Sequence, residues 1–124
     1  MDIIISNSGE KPIYEQIISQ IKNMIIKGIL SQGDSLPSMR LLAKELQISV
    51  ITTKRAYEEL ERAGFIQSIT GKGSFVSRKN SGFIKEEQLR IIEEFLQKAV
   101  DAASTSNITL SELTAMLTIL YKGE

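Results

Sequence analysis

In the first half of the chain, the apolar residues of some segments recur at helical spacing and those of others are typical of strands. Polar turns separate these segments. A short β-like run covers residues 2–6. A core helix is predicted next; it begins near Pro12, since proline lacks an N–H group that a first helical turn leaves unpaired anyway, and it stops at Gly28. Its apolar residues recur at helical spacing: Ile13, Ile17, Ile21, Met24 and Ile25. The pattern therefore predicts one buried helix at the start, before a turn at residues 32–34.

Two short helices separated by a tight turn are predicted after it. The first covers residues 39–46 with Ser38 as its N-cap, and the second covers residues 50–63 with Ser49 as its N-cap and Gly64 as its stop. Arg40 and Lys44 are expected to face outward. The inward positions are expected to be Leu41, Leu42, Ala43, Leu46, Thr53, Ala56, Tyr57 and Leu60. This arrangement is typical of a helix-turn-helix, whose second helix enters a major groove.

A β-hairpin is predicted immediately after the second of these helices. Residues 65–69 and 74–77 are rich in aromatic and β-branched side chains, and the turn Thr70-Gly71-Lys72-Gly73 joins them. The two glycines permit positive φ angles, and Lys72 lies at the tip. A hairpin in this place is the wing of a winged helix-turn-helix. The expected fold is mainly α with a small β-hairpin wing (α+β), and its DNA-binding domain spans residues 1–79, with the helix-turn-helix at 39–58 and the wing at 65–77.

The polar residues 78–82 mark the expected border to a two-helix C-terminal tail, residues 80–124. One helix is predicted at residues 83–103 and another from Leu110, where Thr109 and Glu112 form a capping box. Two amphipathic helices cannot bury both of their stripes alone, so a partner surface is required, either the first domain or a second copy of the chain. The stripe residues expected to bury against that partner are Leu89, Ile92, Phe95, Leu96, Ala99, Leu113, Met116, Leu117 and Leu120.

Composition excludes several functional classes. An apolar fraction of 42% with 24% charged residues is typical of a globular protein. The chain has no cysteine and no histidine, which removes the usual nucleophile–base pairs and most transition-metal ligands. Adjacent glutamates such as Glu58 and Glu59 point about 100° apart on a helix and are interpreted as solvated faces. We therefore expect no enzyme, no cofactor and no metal site. The absence of a long apolar run or a secretory signal predicts a cytoplasmic protein without a membrane partner.

Charge is distributed unevenly along the chain. Residues 1–82 contain 11 Lys and Arg against 8 Asp and Glu, whereas residues 83–124 contain 4 against 7. A modestly basic part beside an acidic part suits a protein in which the first meets phosphates and the second meets protein.

Four motifs lie in the order L-P-S-x-R-x-L-A-x-x-L, S-x-x-T, A-Y-x-x-L-x-x-x-G-x-I and G-x-G-x-F-V. The residues that carry them are Leu36, Pro37, Ser38, Arg40, Leu42, Ala43, Leu46, Ser49, Thr52, Ala56, Tyr57, Leu60, Gly64, Ile66, Gly71, Gly73, Phe75 and Val76. With them, residues 12–76 resemble the DNA-binding domain of the GntR family of bacterial transcription regulators. The short tail and the opening P-I-Y-E-Q-I of residues 12–17 resemble its YtrA subfamily. This resemblance implies that residues 80–124 are a dimerisation tail and that the stripe residues named above meet a second copy of the chain.

The resemblance implies a regulator, in this family most often a repressor, that binds a palindromic double-stranded DNA operator as a homodimer. It implies that Arg40 contacts DNA, that Ser49 and Thr52 place hydroxyls on phosphates, that Lys54 is a basic contact, and that the wing around Lys72 approaches the minor groove. The expected DNA-binding residues are Ser38, Arg40, Ser49, Val50, Ile51, Thr52, Lys54, Arg55, Thr70, Gly71, Lys72 and Gly73.

Val50 and Ile51 depart from the family pattern, which often has arginine or a polar residue after the position of Ser49. Apolar side chains cannot donate to guanine but can pack on thymine methyl groups, so the operator is expected to contain A/T pairs, or its sequence is read by Arg40 and Lys54. The alternative function is a winged-helix protein-interaction module without DNA-binding activity, which would need neither a basic wing tip nor recognition-helix hydroxyls.

A small-molecule effector is the remaining expectation about partners. The short tail leaves little room for the cavity of about 300 Å³ or more that a metabolite occupies, so its site is expected around residues 78–85 or between two subunits. Regulation by protein abundance alone is the alternative.

Overall fold

The computed structural model describes residues 1–9, 11–78 and 81–123. Those residues form five helices and one two-stranded antiparallel sheet, as the mainly α winged-helix prediction requires. The elements are α1 (Ile13–Ile26), α2 (Met39–Leu46), α3 (Val50–Arg62), β1 (Ile66–Ile69), β2 (Gly73–Val76), α4 (Ser81–Thr105) and α5 (Leu110–Lys122). Contacts divide the chain into two compact units, Met1–Gln88 and Leu89–Glu124.

Helix α1 provides the central apolar face of the first unit, where it packs against α3. It begins directly after Pro12, whose carbonyl accepts bonds from the Glu15 and Gln16 N–H groups, and Gly28 follows its end at a φ of 80°. Its buried residues are Ile17, Ile21 and Ile25. The predicted spacing and the glycine stop are confirmed.

Residues 2–6 do not form the β-like run expected from their sequence. Two glutamine side chains of α1 bond this segment instead. Gln20 accepts from the Ile4 N–H at 2.9 Å and donates to the Ile4 carbonyl at 2.7 Å, and Gln16 bonds both backbone groups of Ser6 in the same way. Because a side-chain amide carries both a donor and an acceptor, it satisfies the backbone that a partner strand would otherwise pair.

Helices α2 and α3 form the predicted helix-turn-helix, with the bounds of α2 as expected and α3 ending one residue earlier. The expectation that Leu41 is inward was wrong, since its side chain is 47% exposed. The inward stripe of α2, which is buried or half-buried, contains Met39 instead, because a helix places residues at i, i+3, i+4 and i+7 on one face. That stripe is Met39, Leu42, Ala43 and Leu46.

The wing hairpin pairs Ile66 with Val76 and Ile69 with Gly73. Each strand begins one residue away from the predicted start, and Phe65 is buried just before β1. The segment before α2 adds a second set of backbone bonds to β2, a pairing that the sequence pattern did not predict. The Leu36 N–H donates to the Ser74 carbonyl, the Val76 N–H to the Asp34 carbonyl, and the Gly33 N–H to the Val76 carbonyl. The wing is therefore anchored at its base.

The first turns of α4 belong to the first unit. Ile84 is 7% exposed and is part of its core, and the Gln88 side chain donates to the Ile26 carbonyl at 2.6 Å. The border predicted from polar composition lies at residue 79, and this compact unit also includes the first residues of α4, up to Gln88. Helix α4 also begins and ends two residues outside the predicted bounds of 83 and 103.

The second unit consists of the rest of α4 and of α5. Thr109 accepts from the Glu112 N–H at 3.2 Å, which confirms that Thr109 caps α5. Among the described residues of this unit, Ala103 alone is buried, and α5 has no buried residue. The apolar stripes are thus largely open to solvent in a single chain.

Candidate nucleic-acid interface

Helix α3 is fixed along its inner face, which leaves the opposite face free for a ligand. The four predicted inward residues are all buried: Thr53, Ala56, Tyr57 and Leu60. The Thr53 hydroxyl is within hydrogen-bond distance of two carbonyl oxygens, that of Met39 at 3.1 Å and that of Val50 at 2.8 Å. It therefore links the starts of α2 and α3. Both helices therefore present their first turns in a fixed relation.

Tyr57 is a core residue, as predicted, and not a base-stacking one. Its hydroxyl donates to the Pro37 carbonyl at 2.7 Å, just before α2. Burial, and then the negative charge of Glu45, raise the pKa of this hydroxyl above its usual range. It therefore stays protonated and keeps α3 bonded to the α2 entrance.

The first turns of α2 and α3 contain no acidic residue. Ser38 accepts from the Leu41 N–H at 3.0 Å, and Ser49 accepts from the Thr52 N–H at 3.1 Å, so both predicted N-caps are present. The Ser49 and Thr52 hydroxyls also bond each other at 2.8 Å. Each hydroxyl has one donor and two acceptor sites, so one proton of this pair is available to a partner outside it. Helix N-termini of this kind favour anions.

Four basic residues are exposed on these two helices at the predicted outward positions: Arg40, Lys44, Lys54 and Arg55. Arg40 follows the first residue of α2, and Lys44 lies one turn further. Lys54 on α3 is 3.9 Å from the Glu58 carboxylate, and both side chains are more than half exposed. A pair so exposed contributes little to stability, which leaves Lys54 able to exchange Glu58 for a phosphate.

Arg55, also predicted to bind DNA, lies against α1. Its guanidinium carbon is 3.8 Å from the centre of the Tyr14 ring, and its Nη2 donates to the Tyr14 hydroxyl at 3.1 Å. That hydroxyl donates in turn to Glu15. Tyr14 was not predicted as a partner of α3; its position at helical spacing with Ile17 and Ile21 within α1 was the available signal.

The wing tip exposes the predicted turn residues. Gly71 and Gly73 have φ angles of 78° and 104°, which L-residues rarely adopt, and Lys72 between them is exposed. The Ser68 N–H of β1 donates to the Glu61 carboxylate of α3 at 3.1 Å. This contact, which the sequence analysis missed, ties the wing to the recognition helix.

The adjacent glutamates of α3 have ordinary helical partners. Glu58 faces Lys54, and Glu59 pairs with Arg62. Over residues 1–9, 11–78 and 81–123, no group of His, Cys, Asp or Glu is arranged to hold a metal ion. Within the same part of the chain, no helix has the length and apolarity needed to cross a membrane.

Comparison with known proteins places this geometry in a family. Residues 13–76 match the sequence profile of the bacterial regulatory proteins of the gntR family. The chain belongs to the GntR family. It is 37% identical over 111 residues to the HTH-type transcriptional repressor YtrA of Bacillus subtilis, an alignment that covers 90% of this chain and 85% of the relative. The predicted resemblance to the GntR family and its YtrA branch is confirmed.

Solved structures with the same architecture include YtrA from Sulfolobus acidocaldarius, a GntR-family transcription factor. It is 30% identical, has a TM-score of 0.60, and the alignment covers 98% of this chain and 97% of that one. The DNA-binding domain of AraR in complex with operator ORX1 shares the fold, with a TM-score of 0.55 at 22% identity over 62% of this chain and 96% of the other. This GntR protein is therefore a transcription regulator with a DNA-binding winged helix-turn-helix.

The GntR recognition helix of this chain has an apolar start. Val50 is 44% exposed and Ile51 is 79% exposed, although both are branched aliphatic residues in the first turn of α3. Aliphatic side chains are unfavourable in water, and the free energy falls when an apolar surface covers them. Val50 and Ile51, which depart from the family pattern, are therefore both accessible to a ligand at the outer surface of α3.

Proposed function

We propose that the protein is a repressor that binds a palindromic DNA operator as a homodimer. The observation that carries this proposal is α3, whose inner face is completely buried while its first turn exposes hydroxyl, aliphatic and basic side chains with no acid among them. Such a helix is fixed on one side and complementary to DNA on the other. Repression is the activity named for the YtrA relative from Bacillus subtilis.

The first turn of α3 is proposed to lie in the major groove. Ile51, at 79% exposure, and Val50 beside it would pack on thymine methyl groups, which are the apolar feature of that groove. Arg40 at the start of α2 is proposed to donate to a guanine edge or a phosphate. The operator half-site is therefore expected to contain thymines opposite α3 and a guanine within reach of Arg40.

A second set of residues is proposed to hold the phosphate backbone. Ser38, Ser49, Thr52 and Lys54 lie at or near helix starts, where hydroxyls and unpaired N–H groups bind anions. The wing tip would reach the minor groove and its phosphates through Thr70, Gly71, Lys72 and Gly73. These contacts fix register and contribute affinity for every DNA sequence.

Arg55 is proposed to position the recognition helix. Its guanidinium already stacks on Tyr14 and bonds the Tyr14 hydroxyl, so the side chain joins α3 to α1. A stacked, bonded guanidinium keeps α3 from rotating about its axis, and small rotations matter because base contacts are directional.

The exposed stripes of the second unit are proposed to bury against a second copy of the chain. An apolar groove of about 270 Å³ runs between α4 and α5 in this unit, with Leu96, Leu113 and Leu117 on its walls. Phe95, Met116 and Leu120 are between 53% and 77% exposed. A second copy is the occupant because two-fold pairing brings identical stripes together and sets two recognition helices to match a palindrome. Such a regulator acts on chromosomal DNA, hence in the cytoplasm.

Selection of DNA fragments by the purified full-length protein tests this proposal. We expect an enriched palindrome with two half-sites about 10 base pairs apart or a multiple of that spacing, and affinity that falls steeply as salt rises. Footprinting should protect both half-sites. Failure to enrich any sequence, together with salt-independent binding, would favour the protein-interaction module instead.

A further inference from the structure

An open cleft of about 500 Å³ lies within the first unit, between the end of α1, the turn that follows it and the start of α4. Its apolar floor contains Leu30 and the buried Ile84. Its polar edge contains Arg78, Lys85 and Gln32. A volume of this size matches the range of small-molecule sites, and an apolar floor with a few polar groups is their usual composition.

Arg78 is seated in this cleft by the absence of a side chain at Gly33. A Cβ atom at Gly33 would overlap the Arg78 guanidinium, so the guanidinium lies directly on the bare backbone of the turn. Gly33 itself is fixed, because its N–H donates to the Val76 carbonyl at 2.9 Å and its φ is 86°. The position of the guanidinium therefore follows from the backbone of the turn.

The two cations of the cleft have no acidic partner among the residues that the structure describes. Arg78 and Lys85 are both exposed, and neither is in an ion pair there. Two like charges that face one cleft raise its positive potential, and an anion that enters relieves their repulsion. A guanidinium in addition offers paired donors that match carboxylate and phosphate geometry.

The wall opposite the turn is formed by α4. Gln88, which also lines the cleft, donates to the Ile26 carbonyl and so fixes the opening turns of this helix to the end of α1. Lys85 lies on the same turns. A ligand bound to Lys85 thus contacts the helix whose later residues carry the exposed apolar stripe.

We propose that this cleft binds a small organic anion, with its carboxylate or phosphate head between Arg78 and Lys85 and a short apolar portion on Leu30 and Ile84. The apolar portion distinguishes this ligand from an inorganic ion, and the single charged head distinguishes it from a neutral metabolite. The anion site itself does not depend on the proposed function. Only its consequence rests on that function, namely a change in operator affinity when the anion is bound.

Calorimetric titration of the full-length protein without DNA tests the site. The probes are hexanoate and hexyl phosphate, which separate the two head groups, with hexanol and inorganic phosphate as controls that lack the charge or the chain. We expect at least one of the two organic anions to bind at least tenfold more tightly than both controls, which is about 1.4 kcal/mol. Arg78→Gln should weaken that binding at least tenfold, whereas Lys11→Gln, which removes an exposed lysine elsewhere in the unit, should not.

Three results would overturn the proposal: no binding of either organic anion at millimolar concentration, equal binding of hexanol, or equal affinity of Arg78→Gln and Lys11→Gln. Operator binding is measured separately, with and without the anion. If the anion binds in an Arg78-dependent way but the protein selects no DNA, the regulator function fails while the site stands. If the protein binds its operator but neither organic anion binds, the anion site fails while the regulator function stands.

Discussion

The two compact units use the same helical hydrophobic pattern with opposite results. In the first, Ile17, Ile21 and Leu60 have no exposed surface. In the second, Leu117 is 50% and Leu120 is 77% exposed, although their spacing is as regular. Periodicity therefore specifies which face of a helix is apolar but not what covers it.

The difference lies in how many elements meet. In the first unit α1, α2, α3 and the hairpin surround one core, and every apolar stripe faces another. In the second unit only two helices meet, so each has one neighbour and most of its stripe remains outside. Burial of one Leu or Ile side chain stabilises a protein or a complex by roughly 1.5–3 kcal/mol. Covering the exposed stripe with a partner would therefore contribute strongly to binding.

Adding charge to the exposed apolar stripe of the second unit should have the largest effect. Leu96→Lys should give monomers with operator affinity reduced about 10²- to 10⁴-fold, because the two half-sites are then no longer bound together. Sedimentation and a gel-shift titration measure the two effects. Gln97→Lys on the neighbouring face is the matched control and should remain dimeric, since it places a lysine one turn before Asp101. A wild-type protein that sediments as a monomer would contradict the dimer itself.

Truncation of equivalent leucines should separate the two units. Leu60→Ala should destabilise the first unit by about 2–5 kcal/mol, because a cavity is left in a closed core. Leu117→Ala should leave the amides of α1 and α3 as protected as in the wild type and should weaken dimerisation. Native-state hydrogen exchange of the full chain follows each helix. Equal loss of protection in α1 after both substitutions would mean that the units unfold as one.

Within the first unit, Arg40 should contribute to sequence discrimination. Arg40→Ala is expected to cost on the order of 1–3 kcal/mol on the operator and less on random DNA, if the guanidinium is bidentate to a guanine. Lys44→Ala, four residues further along α2, controls for the loss of one positive charge from the same helix. Equal losses on both kinds of DNA would reassign Arg40 to the phosphate backbone.

The wing should contribute affinity without discrimination. Lys72→Ala is expected to weaken operator and random duplexes about equally and to reduce the salt slope of binding by roughly one unit, because one phosphate contact is removed. Lys27→Ala, at the end of α1, serves as the control for net charge. A salt slope that is unchanged in Lys72→Ala would remove the wing tip from the interface.

The smallest effect is expected at the contact between α1 and the recognition helix. Tyr14→Phe keeps the ring under Arg55 but removes the hydroxyl that bonds it, so it should cost about 0.5–1.5 kcal/mol in unfolding free energy. Arg55→Ala should destabilise the unit by a similar amount and affect operator binding less than Arg40→Ala does. Chemical denaturation and gel shifts measure the two. If Arg55→Ala weakens operator binding as much as Arg40→Ala without destabilising the unit, Arg55 contacts DNA directly.

Much of the first unit was predictable because its signals are local. The caps at Ser38 and Ser49, the inward residues of α3 and the glycine turn of the wing depend on neighbours within a few residues, and all are present as predicted. The inward prediction for Leu41 was wrong, because the helical register set by Met39 and Leu42 places Leu41 outside the inward stripe.

The sequence by itself determined the helices, their caps, the hairpin and the family, since each depends on residue type and short-range spacing. Only the tertiary structure decided that Gln16 and Gln20 bond the N-terminal segment, that Arg55 stacks on Tyr14, and that Arg78 lies on Gly33. The physical reason is the same in each case. These contacts join groups that are 10 to 45 residues apart, and at such separations only the packing of whole elements determines which donors and acceptors meet.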